Sequence, residues 1–317
     1  FKALGNSPKI GKEGEGRKLG DGSITWANWR AAEGGDLAQP DGMIAEEAVR
    51  IIEENHDKPF FIGVGFHKPH DPFVAPKEYF EHYPLEDVKL ADEPADRSEL
   101  LEYSIPAAYD QFRSFTERDQ REFKRAYHAC TTFVDAQVGK VFAAMDRLKL
   151  WDNTVVVLLG DHGYHLGEKG WWNKVTIFEL GANAPLVIWA PGMESMGRPT
   201  DSVVELLDIY PTLVDLCGLG APNKLSGKSL RPVLENPSKT WKNAAYTQIT
   251  RGKLMGYTVR NDRWRYIQWG ANGAGGAELY DHRGDKGEYH NLADNPEKKK
   301  VREEMAELLK EGFPVLK

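Results

Sequence analysis

From Gln39 to Asn55, Ile44, Ala48, Ile51 and Ile52 recur at helical spacing, while Glu46, Glu47, Glu53 and Glu54 lie mostly off that face, so the segment predicts an amphipathic helix. The run KPFFIGVGF, 58–66, is short and apolar and predicts a buried strand, ending in the histidine-rich HKPHDPF. Helix then strand gives half of a βαβ unit. Residues 72–115 carry many Pro, Asp and Glu and no sustained period, which predicts a long surface excursion with short helical turns. Phe123, Tyr127, Val134, Val138, Val141, Phe142 and Met145 then form the longest helical stripe, with Thr116 and Asp119 at capping-box spacing. That helix leads into TVVVLLG, 154–160, a predicted buried strand, as a crossover in a parallel sheet requires.

The pattern continues with a second buried strand over 185–190 and a helix over 205–218, with Pro211 near its start and Gly218 as its stop. Residues 230–241 shift to Pro, Asn, Ser and Lys and read as a linker. MGYTVRNDRWRYIQW alternates around the turn signal RND and predicts a hairpin, ELYD another strand, and 296–312 an amphipathic terminal helix. Phe1 to Gly35, rich in Gly and Lys, reads as an irregular surface segment. The sum is an α/β chain with a larger region over 1–240 and a smaller α+β subdomain over 241–317. No internal repeat is present.

Composition narrows the function classes. The 317 residues include 41 Lys and Arg against 48 Asp and Glu, a net charge of −7, which argues against nucleic acid as the main partner. A local cationic pocket for a small anion is compatible with that balance. No apolar stretch reaches the length of a membrane-spanning helix, and no signal peptide is evident. Cys130 and Cys217 lack the spacing of a metal site, are too few for a disulfide framework, and sit in apolar helical patterns that predict buried thiols. The sequence starts at Phe1 rather than Met, the expectation being a processed, trimmed or incomplete start.

Two polar clusters follow predicted strands, where open α/β sheets bind their ligands. In GDHGYHLGEKGWWNK, 160–174, Asp161 offers hard carboxylate oxygens suited to Ca²⁺ or Mg²⁺, and His162 an imidazole suited to Zn²⁺ or Mn²⁺. Lys174 stands across a loop containing Gly167 and Gly170 that can fold back and return an ammonium to the same anion. Trp171 and Trp172 read as packing residues or the wall of a sugar site, and His165 and Glu168 as solvated loop residues. The other cluster, His67, Lys68, His70 and Asp71, with Pro69 and Pro72 between them, combines imidazole and ammonium groups that suit an oxyanion such as sulfate or phosphate. The bland reading of each is a polar loop.

KPFFIGVGFHKPHDPFVAPKEYF, VVVLLGDHGYHLGEKGWWNK and NAPLVIWAPG together resemble the type I sulfatases, most closely the iduronate-2-sulfatase-like branch, and ELYDHRGDKGEYHNLA resembles the C-terminal segment of bacterial sulfatases. The resemblance implies an alkaline-phosphatase-like α/β fold, a mostly parallel sheet flanked by helices, with a smaller C-terminal subdomain. It implies Asp161 and His162 as ligands of a divalent metal, usually calcium, with Mg²⁺, Mn²⁺ or Zn²⁺ as lesser options. Lys174 and His70 would contact the sulfate group and act in catalysis, with His67, Lys68 and Trp172 near the substrate. The family nucleophile is a formylglycine made within Cys-x-Pro-Ser-Arg or Ser-x-Pro-x-Arg, and neither motif occurs here. The aspartate pair and the lysine and histidine pair expected early in the family are also absent. By resemblance these parts lie N-terminal to Phe1, in a longer protein or in a companion chain that completes the site, and this chain alone is expected to be inactive. The implied substrate is a sulfated sugar or uronic acid, or a small sulfate ester, and the implied location periplasmic, secreted or lysosome-like. The rival readings are a phosphatase or phosphonate hydrolase of the same superfamily and a non-catalytic glycan-binding or complementing chain.

Overall fold

The computed structural model describes residues 13–94, 97–221, 223–271 and 273–316. The chain divides into two compact units, each built from several stretches of sequence. One comprises 1–92, 110–152 and 166–170, the other 93–109, 153–165 and 171–317.

In the first unit, β1 (Gly14–Lys18) runs antiparallel to β2 (Asn28–Ala32), and β2 runs parallel to β3 (Phe73–Pro76) with Trp29 opposite Phe73. These strands occupy sequence that reads as an irregular segment and a surface excursion. Their apolar residues are too few to show a period, yet all four residues of β3 are buried. Residues 1–12 of the expected irregular segment lie outside the described residues. Helix α1 (Pro40–Asn55) starts with Pro at its first position, where the missing N–H costs nothing. Helix α2 (Lys77–Glu81) is a single turn, and α3 (Glu117–Arg147) carries the expected capping box between Thr116 and Asp119. Of the predicted stripe Phe123 and Met145 are buried, joined by Ala126, Cys130 and Phe133, whereas Tyr127, Val134, Val138, Val141 and Phe142 are only partly buried; α3 packs on α1 and β3. Buried Glu122 accepts from Trp29 Nε1 at 2.9 Å and pairs with Arg17 and Arg118, so its charge is matched inside the unit. Segment 58–66 departs from expectation. It forms no strand and pairs with none among the described residues, and Phe61 is 88% exposed. A strand needs a hydrogen-bonding neighbour, which periodicity cannot supply.

In the second unit, β4 (Val156–Leu159) pairs with β5 (Leu186–Trp189), and the pairing is antiparallel, not the parallel neighbour expected of a crossover. Leu158, Leu159 and Val187 are exposed, so these runs are not the buried strands their composition suggests. The short helix α4 (Glu179–Ala182) precedes β5. Helix α5 (Ile209–Leu216) ends where Gly218 takes a left-handed φ of 64°, as the stop signal implies, and Cys217 at that end is exposed, correcting the expected buried thiol, whereas Cys130 is buried. The expected linker contains α6 (Arg231–Glu235). Strands β6 (Ala245–Arg251), β7 (Leu254–Arg260), β8 (Trp264–Trp269) and β9 (Ala277–Asp281) form an antiparallel meander in that order. Helix α7 (Lys299–Gly312) closes it, setting Met305 and Leu309 in a core with Tyr257, Val259, Tyr266 and Leu279. The RND hairpin, the ELYD strand and the terminal helix all stand where the alternation places them.

Candidate functional site

In the first unit, Asp41 near the start of α1 is buried, and its carboxylate accepts from the backbone N–H of His67 at 2.9 Å and of Lys68 at 2.8 Å. A carboxylate at a helix start also faces the positive end of the helix dipole, which favours its charge. Two backbone donors gripped at one point fix the entry to HKPHDP, whose Lys68–Pro69 and Asp71–Pro72 peptide bonds are cis. Lys68 turns inward, its ammonium donating to the carbonyls of His70 at 3.0 Å and Pro72 at 2.6 Å, and burial lowers its pKa. The loop thus uses the Lys68 charge to hold its own shape. His67 and His70 are exposed, with ring centroids 4.9 Å apart and planes 32° from parallel. His70 Nδ1 lies 2.7 Å from the Asp71 carbonyl, which leaves Nε2 to face outward. Partial burial, then the positive charges of Lys68 and His70, lower the His67 pKa below the ordinary 6.5, so its ring is neutral at pH 7. The exposed imidazole rings are the groups of this loop that can donate to an oxyanion.

In the second unit, β4 delivers Asp161 and His162 at its carboxyl end. Asp161 is 88% exposed at its side chain and His162 36%. His162 Nδ1 lies 2.8 Å from the Gly163 carbonyl, and Nε2 lies 3.6 Å from Asp161 Oδ2. An imidazole whose Nδ1–H is held by a carbonyl presents its Nε2 lone pair outward, the arrangement of a metal-binding histidine. Carboxylate and imidazole therefore fit two positions of a divalent-cation shell. Gly163 is required for packing: its N–H donates to Gly181 O at 3.1 Å, and a Cβ would meet Leu180 O at 2.0 Å. His165, expected solvated, is fully buried, with Nε2 2.7 Å from Thr176 Oγ1, because the loop returns along itself through the bond of its N–H to Asn173 O. Trp171 and Trp172 are buried packing residues, and Tyr164 donates to the Trp172 carbonyl at 3.2 Å. Trp171 Nε1 donates to the Lys174 carbonyl at 2.7 Å, and Asn173 Oδ1 accepts the Lys174 N–H at 2.8 Å.

A third polar cluster has no signature in the sequence. Glu179, His282 and Glu288 bring ligand atoms within 4.8 Å of one another. Their chemistry does not suit a metal, because Arg265 already occupies the centre. Its Nε donates to Glu288 Oε1 at 2.6 Å, its Nη2 to Glu179, and its Nη1 to the Ile177 carbonyl at 3.2 Å. His282 Nε2 shares Glu288 Oε1 at 2.8 Å. A cation added there would repel the buried guanidinium, so the cluster is an internal ion network. Asp41, Arg265 and Glu288 carry no signal in the sequence, where Asp41 and Arg265 read as ordinary charged residues of a helix and a strand and Glu288 as one of a turn-rich segment.

The sequence resemblance is matched by comparison with known proteins. The family model described as Sulfatase matches residues 21–219, and that described as N-sulphoglucosamine sulphohydrolase, C-terminal, matches 167–313. A sulfatase of Formosa agariphila is 32% identical over 277 residues, covering 86% of this chain and 53% of its own length. The iduronate 2-sulfatase of Mus musculus is 30% identical, covering 73% of this chain and 55% of its own length. The chain thus spans about half the length of the curated relatives it matches. Among solved structures, the phosphonate monoester hydrolase of Agrobacterium radiobacter is 25% identical with a TM-score of 0.75, over 89% of this chain and 62% of that one. A protein solved in complex with D-glucosamine-2-N,6-O-disulfate is 21% identical with a TM-score of 0.71, over 88% of this chain and 70% of that one, and shares the alkaline-phosphatase-like α/β fold.

Proposed function

The chain belongs to the sulfatase family, and we propose that it carries part of the active site of a sulfuric ester hydrolase acting on a sulfated sugar or uronic acid. The observation that carries this reading is the pair at the end of β4, where the carbonyl-held His162 presents Nε2 toward the carboxylate of Asp161. In this reading Asp161 and His162 hold a divalent cation, calcium by family resemblance, and the bound cation would polarise a sulfate oxygen. Lys174 places its ammonium on the transferring sulfuryl group and the bridging oxygen, where charge accumulates as the ester bond breaks. In the first unit taken by itself, His70 offers Nε2 to an oxyanion as a donor when the ring is doubly protonated, with His67 beside it and Lys68 holding the loop. Trp172 backs the site as a packing residue. No residue of this chain fits the formylglycine nucleophile: Cys130 is buried within α3 with its thiol pKa pushed up to about 12, Cys217 is exposed at a helix end, and neither stands in the required motif.

The sugar preference rests on the likeness to iduronate 2-sulfatase. Likeness to a phosphonate monoester hydrolase favours a second reading, hydrolysis of a phosphonate ester on the same framework. The test is turnover by the intact protein of a 2-O-sulfated uronate disaccharide, an aryl sulfate and an aryl phosphonate ester. Release of sulfate that falls with Lys174→Ala supports the proposal. Phosphonate turnover without sulfate turnover moves the assignment to the second reading, and turnover unaffected by Lys174→Ala removes Lys174 from the chemistry.

A further inference from the structure

Lys174 is followed by Val175, a β-branched residue at a φ of 67°. That left-handed conformation is disfavoured for such a side chain and persists only where the surroundings impose it. The surroundings here are charged side chains of the meander and its following loop. Arg251, the last residue of β6, donates through Nη2 to the Val175 carbonyl at 2.7 Å. Arg265 of β8 reaches the Ile177 carbonyl at 3.2 Å, and Glu288 accepts the Glu179 N–H at 2.8 Å. Alternate residues 175, 177 and 179 are therefore each anchored at the backbone, while Ile177 and Phe178 are buried between the anchors.

Arg251 differs from the other two anchors. Arg265 and Glu288 neutralise each other, whereas no carboxylate among the described residues pairs with Arg251. Its Nε donates to the Tyr103 carbonyl at 3.0 Å, its Nη1 to the Thr250 carbonyl at 3.2 Å, and its Nη2 also approaches the Ser104 carbonyl at 3.4 Å. The guanidinium lies 5.5 Å from the centre of the Trp269 ring, a cation–π distance. Burial alone brings its pKa down to about 10, so it stays charged at neutral pH. A half-buried cation directed at carbonyls is poor value for stability, because no ion pair offsets its desolvation. Its geometric effect is specific: it pins the Val175–Thr176 peptide, on the far side of the strained residue from Lys174, while Trp171 and Asn173 fix the peptide atoms of Lys174 itself.

We infer that Arg251 is a positioning residue that holds the strained turn at Val175 and thereby fixes the direction in which Lys174 presents its ammonium. The inference rests on the reading of Lys174 as the sulfate-binding lysine. It goes beyond that reading by assigning the C-terminal sheet a part in the site's precision, since an error of about 1 Å at such a group can cost on the order of 10²-fold in rate.

The experiment compares the intact protein with Arg251→Met, which keeps much of the bulk but no donors, and Arg251→Lys, which restores charge and donors. Lysines are labelled by reductive ¹³C-methylation, and the Lys174 signal is assigned by its absence in Lys174→Arg. The expected result is a Lys174 resonance changed in Arg251→Met and moved back toward native in Arg251→Lys, while the signals of Lys299 and Lys310 stay unchanged. In unlabelled protein, kcat/KM for a sulfate ester falls about 10-fold or more in Arg251→Met, with partial recovery in Arg251→Lys. An unchanged Lys174 signal in Arg251→Met overturns the inference, whatever happens to stability. Absence of sulfate-ester turnover in the unsubstituted protein instead overturns the functional reading, and the Lys174 resonance still decides whether Arg251 sets its geometry.

Discussion

Glu288 gives the ion network behind the Lys174 loop a measurable acid dependence. Burial by itself would raise its carboxyl pKa, but the Arg265 charge and the hydrogen bond from His282 overcome that and hold it at about 2, against 4.5 for an ordinary glutamate. A folded-state pKa below the unfolded value means that the unfolded chain binds more protons, so stability rises with pH across the interval. The contribution is fully present above about pH 4.5 and disappears as pH falls toward 2. At about 1.36 kcal/mol per pH unit the interval amounts to ~3 kcal/mol. In Glu288→Gln that component is gone at every pH, and the Arg265 guanidinium loses its best-placed counter-charge. Urea unfolding followed by tryptophan fluorescence should therefore show the variant less stable than the native protein by ~3 kcal/mol at pH 7. The difference should shrink steadily between pH 4.5 and 2.5. Taking the difference between the two proteins cancels the acid sensitivity of carboxylates outside the network, but not that of Glu179, whose pKa the Glu288 charge itself raises, so Glu179→Gln serves as the parallel control. A stability gap that stays constant from pH 7 to pH 2.5, or one below about 1 kcal/mol throughout, would show that Glu288 is not held ionised by Arg265.

Lys174→Ala should lower kcat for a sulfate ester by on the order of 10²-fold in the intact protein, and steady-state kinetics with near-native kcat would exclude it from transition-state stabilisation. Asp161→Asn should weaken calcium retention, read as metal content after dialysis and by calorimetric titration; equal affinity would exclude Asp161 as a ligand. Asp41→Asn sets an NH₂ group against one of the two amides that the carboxylate now grips, at a cost of ~2–4 kcal/mol, and the urea midpoint should fall accordingly. An unchanged midpoint would mean that the His67–Lys68 amides are not held by that carboxylate.

Much of the architecture is decided by local pattern. The capping box at Thr116 and Asp119, the stop at Gly218, the RND hairpin and the terminal helix each follow from chemistry within a few residues, and each stands where the sequence puts it. The same holds for the existence of two polar loops after apolar runs and for the family, since motif residues are contiguous and legible without a fold. Pairing is different. Segment 58–66 and β4 read alike in hydrophobicity, yet only β4 finds a ladder partner among the described residues, and that partner runs antiparallel. A strand's neighbour, direction and cover are properties of chain segments far apart in sequence, so an apolar run cannot specify them. The supports of the site are non-local in the same way. Asp41 meets amides 26 and 27 residues away, and Arg251 meets a carbonyl 76 residues away. A lone charged residue carries no local signal of the backbone group it will meet, because hydrogen bonding acts over about 3 Å in space irrespective of separation along the chain. The sequence by itself therefore determined the helices, the turns, the family and the residue types available for chemistry. Tertiary structure alone decided which of those residues are exposed to solvent, as Asp161 and His70 are, and which are consumed inside the fold, as Lys68, His165 and Arg265 are.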